Sequence, residues 1–241
     1  KATSQHVLTY GCDREAHVMA KNIRSEVTAT SFTLVTPKGT LDIKSPLIGM
    51  FNVYNMLAAS SAAIALNVPL RTIKEALENI PGVPGRFEPV QVGQPYGVIV
   101  DYAHTPDSLK NVLQTIKSFP HQRVYVVVGC GGDRDRKKRP QMAQIACQYA
   151  DYAIFTSDNP RTEDPANILA DMTHGLHTST PFDTIEDRKE AIEHAVHMAD
   201  TGDIILIAGK GHETYQEINH VRFDFDDREV AKQAILEKER S

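Results

Sequence analysis

The sequence predicts an α/β fold, an open and mostly parallel sheet with helices on both faces, preceded by a first third of different character. Three observations predict it. Four apolar runs, Val98 to Val100, Val124 to Val128, Tyr152 to Ser157 and Ile204 to Ala208, are continuous rather than alternating, which is how strands buried on both faces read. Between them lie helical patterns with charges on one side, and strand, helix, strand at roughly 30-residue spacing is the signature of βαβ units. Each run also ends in a loop dense in polar groups: Asp101 to Asp107, Gly129 to Asp135, Asp158 to Asp164 and Gly209 to Glu213.

Taken in chain order, residues 1 to about 47 read as antiparallel strands. Phe32 to Thr36 and Thr40 to Ile43 flank Pro37-Lys38-Gly39, a hairpin turn. Gly49 to Leu66 opens with Phe51-Asn52-Val53-Tyr54-Asn55 and continues as an alanine-rich helix. Asn52 and Asn55 share a face at its amino end; one can cap it, and the other can offer an amide to a flat ligand ring. A second helix runs from Leu70 to Ile80, and Pro81 to Gly85 is a linker. The expected division is residues 1–84 and 85–241. The strands of the first part look few and short and lack a completing crossover, and the chain opens on Lys1, so the expectation is a fragment of a longer protein. In the second part helices are expected over Ser108–Ser118, Gln141–Ala150, Pro165–Leu176 and Glu186–Met198, with the second of these starting at Pro140.

Bulk properties narrow the function. With 241 residues and 41% hydrophobic content, a substantial core is available. A net charge of -5 argues against a general nucleic-acid binder, despite the basic run Arg134 to Arg139. No apolar segment approaches the roughly 18 residues of a membrane span, and no signal peptide opens the sequence. Cys12, Cys130 and Cys147 form no CxxC pair, which fits a reducing cytoplasm. Cys130, in the second strand-end loop, reads as packing. His174 with His177 and His194 with His197 read as surface helix faces rather than metal ligands, since HExxH is absent.

In a parallel sheet the carboxyl ends of the strands share one edge, where ligands bind. Four distant loops thus bring Asp101, His104, Asp133, Arg134, Asp158, Arg161, Lys210, His212 and Glu213 to one rim. Asp158 can accept from an ammonium and Arg161 can grip a carboxylate with two parallel hydrogen bonds; together they can read a zwitterion. In isolation the same stretch would serve as a polar turn with Arg161 paired to Glu163 or Asp164.

Six segments carry a resemblance: GMFNVYN (49–55), GVPGRFE (82–88), DYAHTPD (101–107), GGDRDRKKRP (131–140), DNPRTEDP (158–165) and GKGHE (209–213). In order and spacing they resemble the Mur ligase family, and within it the branch that adds meso-diaminopimelate as the third peptide residue of a peptidoglycan precursor. The resemblance implies the end of a central ATPase domain over 1–84 and a Rossmann-like, amino-acid-binding domain over 85–241. It implies an ATP-dependent amide ligase acting on UDP-N-acetylmuramoyl-L-Ala-D-Glu, meso-diaminopimelate and ATP, cytoplasmic and monomeric. Arg134, Asp158, Asn159, Pro160, Arg161, Gly209 and Glu213 carry over as the diaminopimelate site, with Arg134 and Arg161 on carboxylate, Asp158 and Glu213 on ammonium, and Pro160 fixing the turn. Asn52, Asn55, Arg86, Asp101 and His104 resemble the positions that hold ATP. No catalytic residue and no metal ligand carries over. GxxxxGK[ST] is absent, and Gly209-Lys210-Gly211 lacks the hydroxyl that would hold magnesium, so the phosphate loop and the Mg2+ ligands are expected upstream of Lys1 and the fragment is expected to be inactive alone. Lys210 and His212 receive no role. The alternatives are a noncatalytic nucleotide- or amino-acid-binding α/β module and a dehydrogenase, for which Gly129-Cys130-Gly131-Gly132 is a poor GxGxxG.

Overall fold

The computed structural model describes residues 7–26 and 28–240. Residues 1–6, including the Lys1 start and the first positions expected in strands, lie outside the described residues. The chain divides into two compact units, residues 1–82 and 83–241.

The first unit contains β1 (Tyr10–Gly11), β2 (Val18–Ser25), β3 (Thr30–Thr36), β4 (Gly39–Ser45), α1 (Met50–Ala65) and α2 (Leu70–Asn79). The strands form one sheet in the order β1-β2-β3-β4, with β2, β3 and β4 antiparallel. β1 pairs with β2 in parallel, which corrects the all-antiparallel expectation. The strands are longer than expected: β2 has 8 residues, and β3 and β4 have 7 each. β3 alternates buried and half-buried residues, so Phe32 and Leu34 share one face. That face packs with Val18 and Ile43 against Val53, Met56 and Leu57 of α1 and Ile73 and Leu77 of α2. The first third thus has its own core. Gly39 pairs with Thr36, so the hairpin turn is the two residues Pro37 and Lys38 rather than three. Neither asparagine caps α1. Gly49 is its N-cap residue without a side-chain bond, while Asn52 Nδ2 donates to Ile48 O at 2.9 Å and Asn55 Nδ2 to Asn52 Oδ1 at 3.3 Å.

The second unit runs β5 (Glu88–Pro89), β6 (Gly97–Asp101), α3 (Pro106–Lys117), β7 (Val124–Cys130), α4 (Lys138–Tyr149), β8 (Tyr152–Ser157), α5 (Pro165–Thr173), β9 (Phe182–Thr184), α6 (Arg188–Met198), β10 (Ile204–Ala208), β11 (Tyr215–Ile218), β12 (Val221–Asp224) and α7 (Asp227–Lys238). Six strands form a sheet in the order β5-β6-β10-β7-β8-β9, parallel except for the antiparallel edge β5. Val98, Val100, Tyr125, Val127, Ile154, Ile205 and Ile207 pack on Ala191, Ile192, Val196, Ala231 and Ile235 of α6 and α7. The alternate residues Ile99, Val126, Val128, Phe155 and Leu206 are equally buried and face the other side of the pleat, where α3, α4 and α5 neighbour one another. Each such side chain contributes about 1.5–3 kcal/mol when fully buried.

Helix starts follow local chemistry. Thr105 and Ser108 form a reciprocal capping box ahead of α3, and Asp164, Asp187 and Asp226 cap α5, α6 and α7. α4 begins two residues before the expected Pro140, which sits within its first turn where no intrahelical N–H is needed. β7 extends through Cys130, so that residue ends a strand instead of lying in the loop. α5 stops at Thr173 with His174 as its C-cap residue, which places His177 beyond the helix rather than on a shared face with His174. His194 Nε2 lies 2.9 Å from Asp183 Oδ2.

Candidate active site of the second unit

β10 returns between β6 and β7, and the carboxyl ends of β6, β10, β7 and β8 therefore lie side by side. The corner after β8 is the most constrained. Asp158 and Asn159 are buried, 9% and 2% exposed. Asp158 Oδ1 accepts from the Asn159 amide at 2.7 Å. Arg161 adopts φ 52°, a left-handed conformation that costs a non-glycine residue about 1–2 kcal/mol. The β11–β12 hairpin holds it there: Arg161 N donates to Glu217 O at 2.9 Å, and Arg161 O accepts from Asn219 N at 2.7 Å. The guanidinium donates to Gly132 O at 2.8 Å and lies 3.8 Å from the Glu217 carboxylate, not beside Glu163 or Asp164.

The corners after β7 and β10 close on this one. Gly132 N donates to Asn159 O at 2.9 Å, and a side chain at Gly132 would collide with the Pro160 carbonyl. Asp133 faces Thr162, accepting from its hydroxyl at 2.8 Å and its amide at 3.2 Å. It ties two loops together and is not directed at a ligand. Arg134 is exposed and makes no hydrogen bond or ion pair among the described residues. Gly209 has φ +119°, and a Cβ there would sit 2.6 Å from Asp158 Oδ2, so only glycine allows β10 to pass so near that carboxylate. Lys210 is fully buried. Its ammonium donates to Asn159 Oδ1 at 3.1 Å, to Glu213 Oε2 at 3.3 Å and to Tyr215 O.

At the end of β6, Asp101 is buried and accepts from Phe87 N at 2.7 Å. Burial pushes its carboxyl up from the ordinary range, against the opposing amide bonds from Phe87 and Ala103 and the nearby charge of Arg86. Its carboxylate is a strut beneath the rim rather than a group presented on it. The Tyr102 ring carries Arg86 at 5.2 Å, His104 at 4.7 Å and His212 at 5.4 Å. Asn52 and Asn55 belong to the first unit.

A cleft of about 220 Å³ results, small-molecule in size, lined by Arg134, Asp158, Asn159, Arg161, Gly209 and Glu213 together with His104. Tyr102, Gly129, Gly131 and Lys138, which carry no site role in the sequence reading, line it too. Cys130 also lines it, but burial pushes its thiol to about 12, which leaves it protonated and inert. One half-buried ion-pair cluster and one fully buried pair brace the corners. Arg139 reaches Glu163 at 2.7 Å and Asp171 at 2.8 Å, and the hydrogen bond from Arg139 draws the Glu163 carboxyl down to about 2. Arg188 forms a two-pronged pair with Asp227 at 2.7 and 2.8 Å and donates to Ser157 O and Ala208 O, the carbonyls just ahead of Asp158 and Gly209.

Comparison with known proteins agrees with this architecture. Residues 1–63 match the Mur ligase middle domain, and residues 85–211, more than half of the chain, match the Mur ligase, glutamate ligase domain. The UDP-N-acetylmuramoyl-L-alanyl-D-glutamate--2,6-diaminopimelate ligase of Oceanobacillus iheyensis is 61% identical over 99% of this chain and 48% of its own length. That of Listeria monocytogenes is 52% identical over 99% and 48%. A solved structure of a ligase of the same name superposes with a TM-score of 0.77 at 42% identity, covering 97% of this chain and 48% of that one. The UDP-N-acetylmuramate-alanine ligase of Thermotoga maritima shares the fold, with a TM-score of 0.63 at 22% identity over 97% of this chain and 48% of its own. The chain spans about half the length of the curated relatives it matches. On the strength of two domain matches in the expected order and of relatives that align along nearly all of it, the chain belongs to the Mur ligase family.

Proposed function

We propose that the second unit is the amino-acid-binding half of an ATP-dependent ligase that joins meso-diaminopimelate to UDP-N-acetylmuramoyl-L-Ala-D-Glu in the cytoplasm. The observation that carries the reading is the charge arrangement around one cleft, with Arg134 and Arg161 opposite in sign to Asp158 and Glu213. A doubly zwitterionic amino acid satisfies both signs at once. Arg161 and Arg134 take carboxylate, Asp158 and Glu213 take ammonium, Asn159 lends an amide, and Gly209 and Pro160 set the backbone that leaves room. The names of the relatives above support the choice of amino acid.

The reaction assigned to the whole protein has two steps. ATP phosphorylates the peptide carboxylate to an acyl phosphate, and the incoming amine then attacks its carbonyl carbon and expels phosphate. Magnesium neutralises charge on the transferring phosphoryl group when bound; its ligands and the phosphate loop are assigned to the length of the relatives that this chain does not span. The second unit contributes orientation, holding the ligand by its far end so that its reacting amine is close and aligned. Arg86 and His104, grouped on the Tyr102 ring, present cationic and flat surfaces that suit a nucleotide, and Asp101 supports them through Phe87. Asn55, exposed on α1, suits an adenine edge, with Asn52 behind it. Residues 1–84 are correspondingly read as the end of the ATPase domain and residues 85–241 as the amino-acid domain. Among the described residues no helix is long and apolar enough to cross a membrane.

Calorimetry of the chain with meso-diaminopimelate, L-lysine, ATP and NAD tests the reading. Lysine lacks one carboxylate. Each charge-assisted bond is worth about 1.5–3 kcal/mol, so lysine should bind at least tenfold more weakly than meso-diaminopimelate. Equal affinity for the two amino acids, or heat only from NAD, would overturn it.

A further inference from the structure

Lys210 has no part in the reading above, yet it is the buried hub of the site. It follows Gly209 at the end of β10 and is 0% exposed. An ammonium has three protons to donate and no acceptor, and each has a partner: Asn159 Oδ1, Glu213 Oε2 and the Tyr215 carbonyl. Asn159 Oδ1 also receives the Glu217 amide at 2.9 Å. Two obligatory donors at one atom identify it as the oxygen, so the other end of that amide is the NH2 that donates to Glu213 Oε2 at 2.8 Å. Glu213 Oε2 thus holds two donors, while Glu213 Oε1 makes no hydrogen bond among the described residues and belongs to a side chain that lines the cleft. Lys210 does not line it.

We infer that Lys210 is a positioning residue of the amino-acid site, an inference that rests on the reading just given: it sets the orientation of the Asn159 amide and immobilises one oxygen of Glu213, so that the other oxygen is presented to a ligand ammonium. Two competing roles predict different outcomes. If Lys210 acted only by its charge, it would repel a ligand ammonium, and removing it would tighten binding. If it served only to pin Tyr215 and the β11 strand, removing it would lower stability without changing ligand affinity at fixed fraction folded. Positioning predicts weaker binding that is transmitted through Glu213.

The test is a double-mutant cycle on meso-diaminopimelate affinity, measured by calorimetry on the chain with Lys210→Met, Glu213→Gln and the double variant, each checked for folding by circular dichroism. Lys210→Met should weaken binding on the order of tenfold, the scale of one charge-assisted hydrogen bond. In the Glu213→Gln background the same change should cost less than about threefold, because groups that act together are not additive. Unchanged or tighter binding by Lys210→Met, or losses that simply add, would overturn the inference. If Lys210→Met does not fold, Lys210→Leu, which likewise removes the donors and the charge, takes its place with the same expectations. A wild-type chain that does not bind meso-diaminopimelate would instead remove the functional reading beneath it.

Discussion

Residues 158–161, after β8, are buried or nearly so and gripped from three sides, whereas residues 133–137, after β7, are all exposed. Both corners supply an arginine to the same cleft. Arg161 is fixed by its backbone pairing with the β11–β12 hairpin and by the Gly132 carbonyl. Arg134 has no such hold. The difference teaches where specificity is built. Immobilising a free side chain costs a complex about 0.5–1.5 kcal/mol, and Arg161 meets that cost during folding while Arg134 meets it on binding. On the proposed reading, the braced corner selects the ligand, and Arg134 at the exposed corner is ordered only when the ligand binds.

The sharpest way to break this contrast is to remove the brace. Asp227→Asn leaves the Arg188 guanidinium, which is 1% exposed, without a counter-charge; a loss of about 3–5 kcal/mol in urea unfolding is expected. A loss below about 1 kcal/mol would mean the pair does not support the β8 and β10 ends. Arg161→Ala comes next, with meso-diaminopimelate affinity falling about a hundredfold while the unfolding midpoint moves little, since two charge-assisted bonds are lost.

Smaller is Glu163→Gln, at about 2 kcal/mol of stability, less than a fully buried pair because Asp171 still faces Arg139. Its pH dependence has a definite sign. The Glu163 carboxyl is held down to about 2 in the folded chain, below its unfolded value, so its contribution is complete above the unfolded range and fades as pH falls toward about 2. The Gln variant should lack that part of the acid-induced loss, read from unfolding curves across that range. Arg134→Ala should be smallest, about tenfold in affinity. An Arg134 effect as large as that of Arg161 would erase the comparison.

The parallel core was legible because Val124 to Val128 and Ile204 to Ala208 are uninterrupted apolar runs, and burial on both faces leaves that trace in any order of residues. Strand order was not legible. The insertion of β10 between β6 and β7 is a pairing of distant segments with no local mark. The rim residues were found because they follow those runs directly. Which of them face the cleft was not, since Asp101 and Asp133 turn to backbone and loop partners that sequence spacing does not encode. Arg188 and Asp227 lie 39 residues apart on different helices, and neither stands out in its own segment. The β11–β12 hairpin turns at Asn219-His220, both at positive φ as two-residue hairpin turns require, but only β12 alternates apolar and polar residues, so the pair of strands leaves a weak trace in the sequence. In the first unit, Asn52 and Asn55 were found as a helix-start pair, but Gly49 took the cap position with φ 93°.

The most direct measurement is a backbone amide shift titration of the isotope-labelled chain with meso-diaminopimelate. The account predicts saturable shifts concentrated at residues 129–134, 158–161 and 209–213, three segments brought together by the sheet and by nothing in the linear order. Shifts confined to one of these segments, or centred on the separate groove around Cys12 and Tyr54 in the first unit, would contradict it.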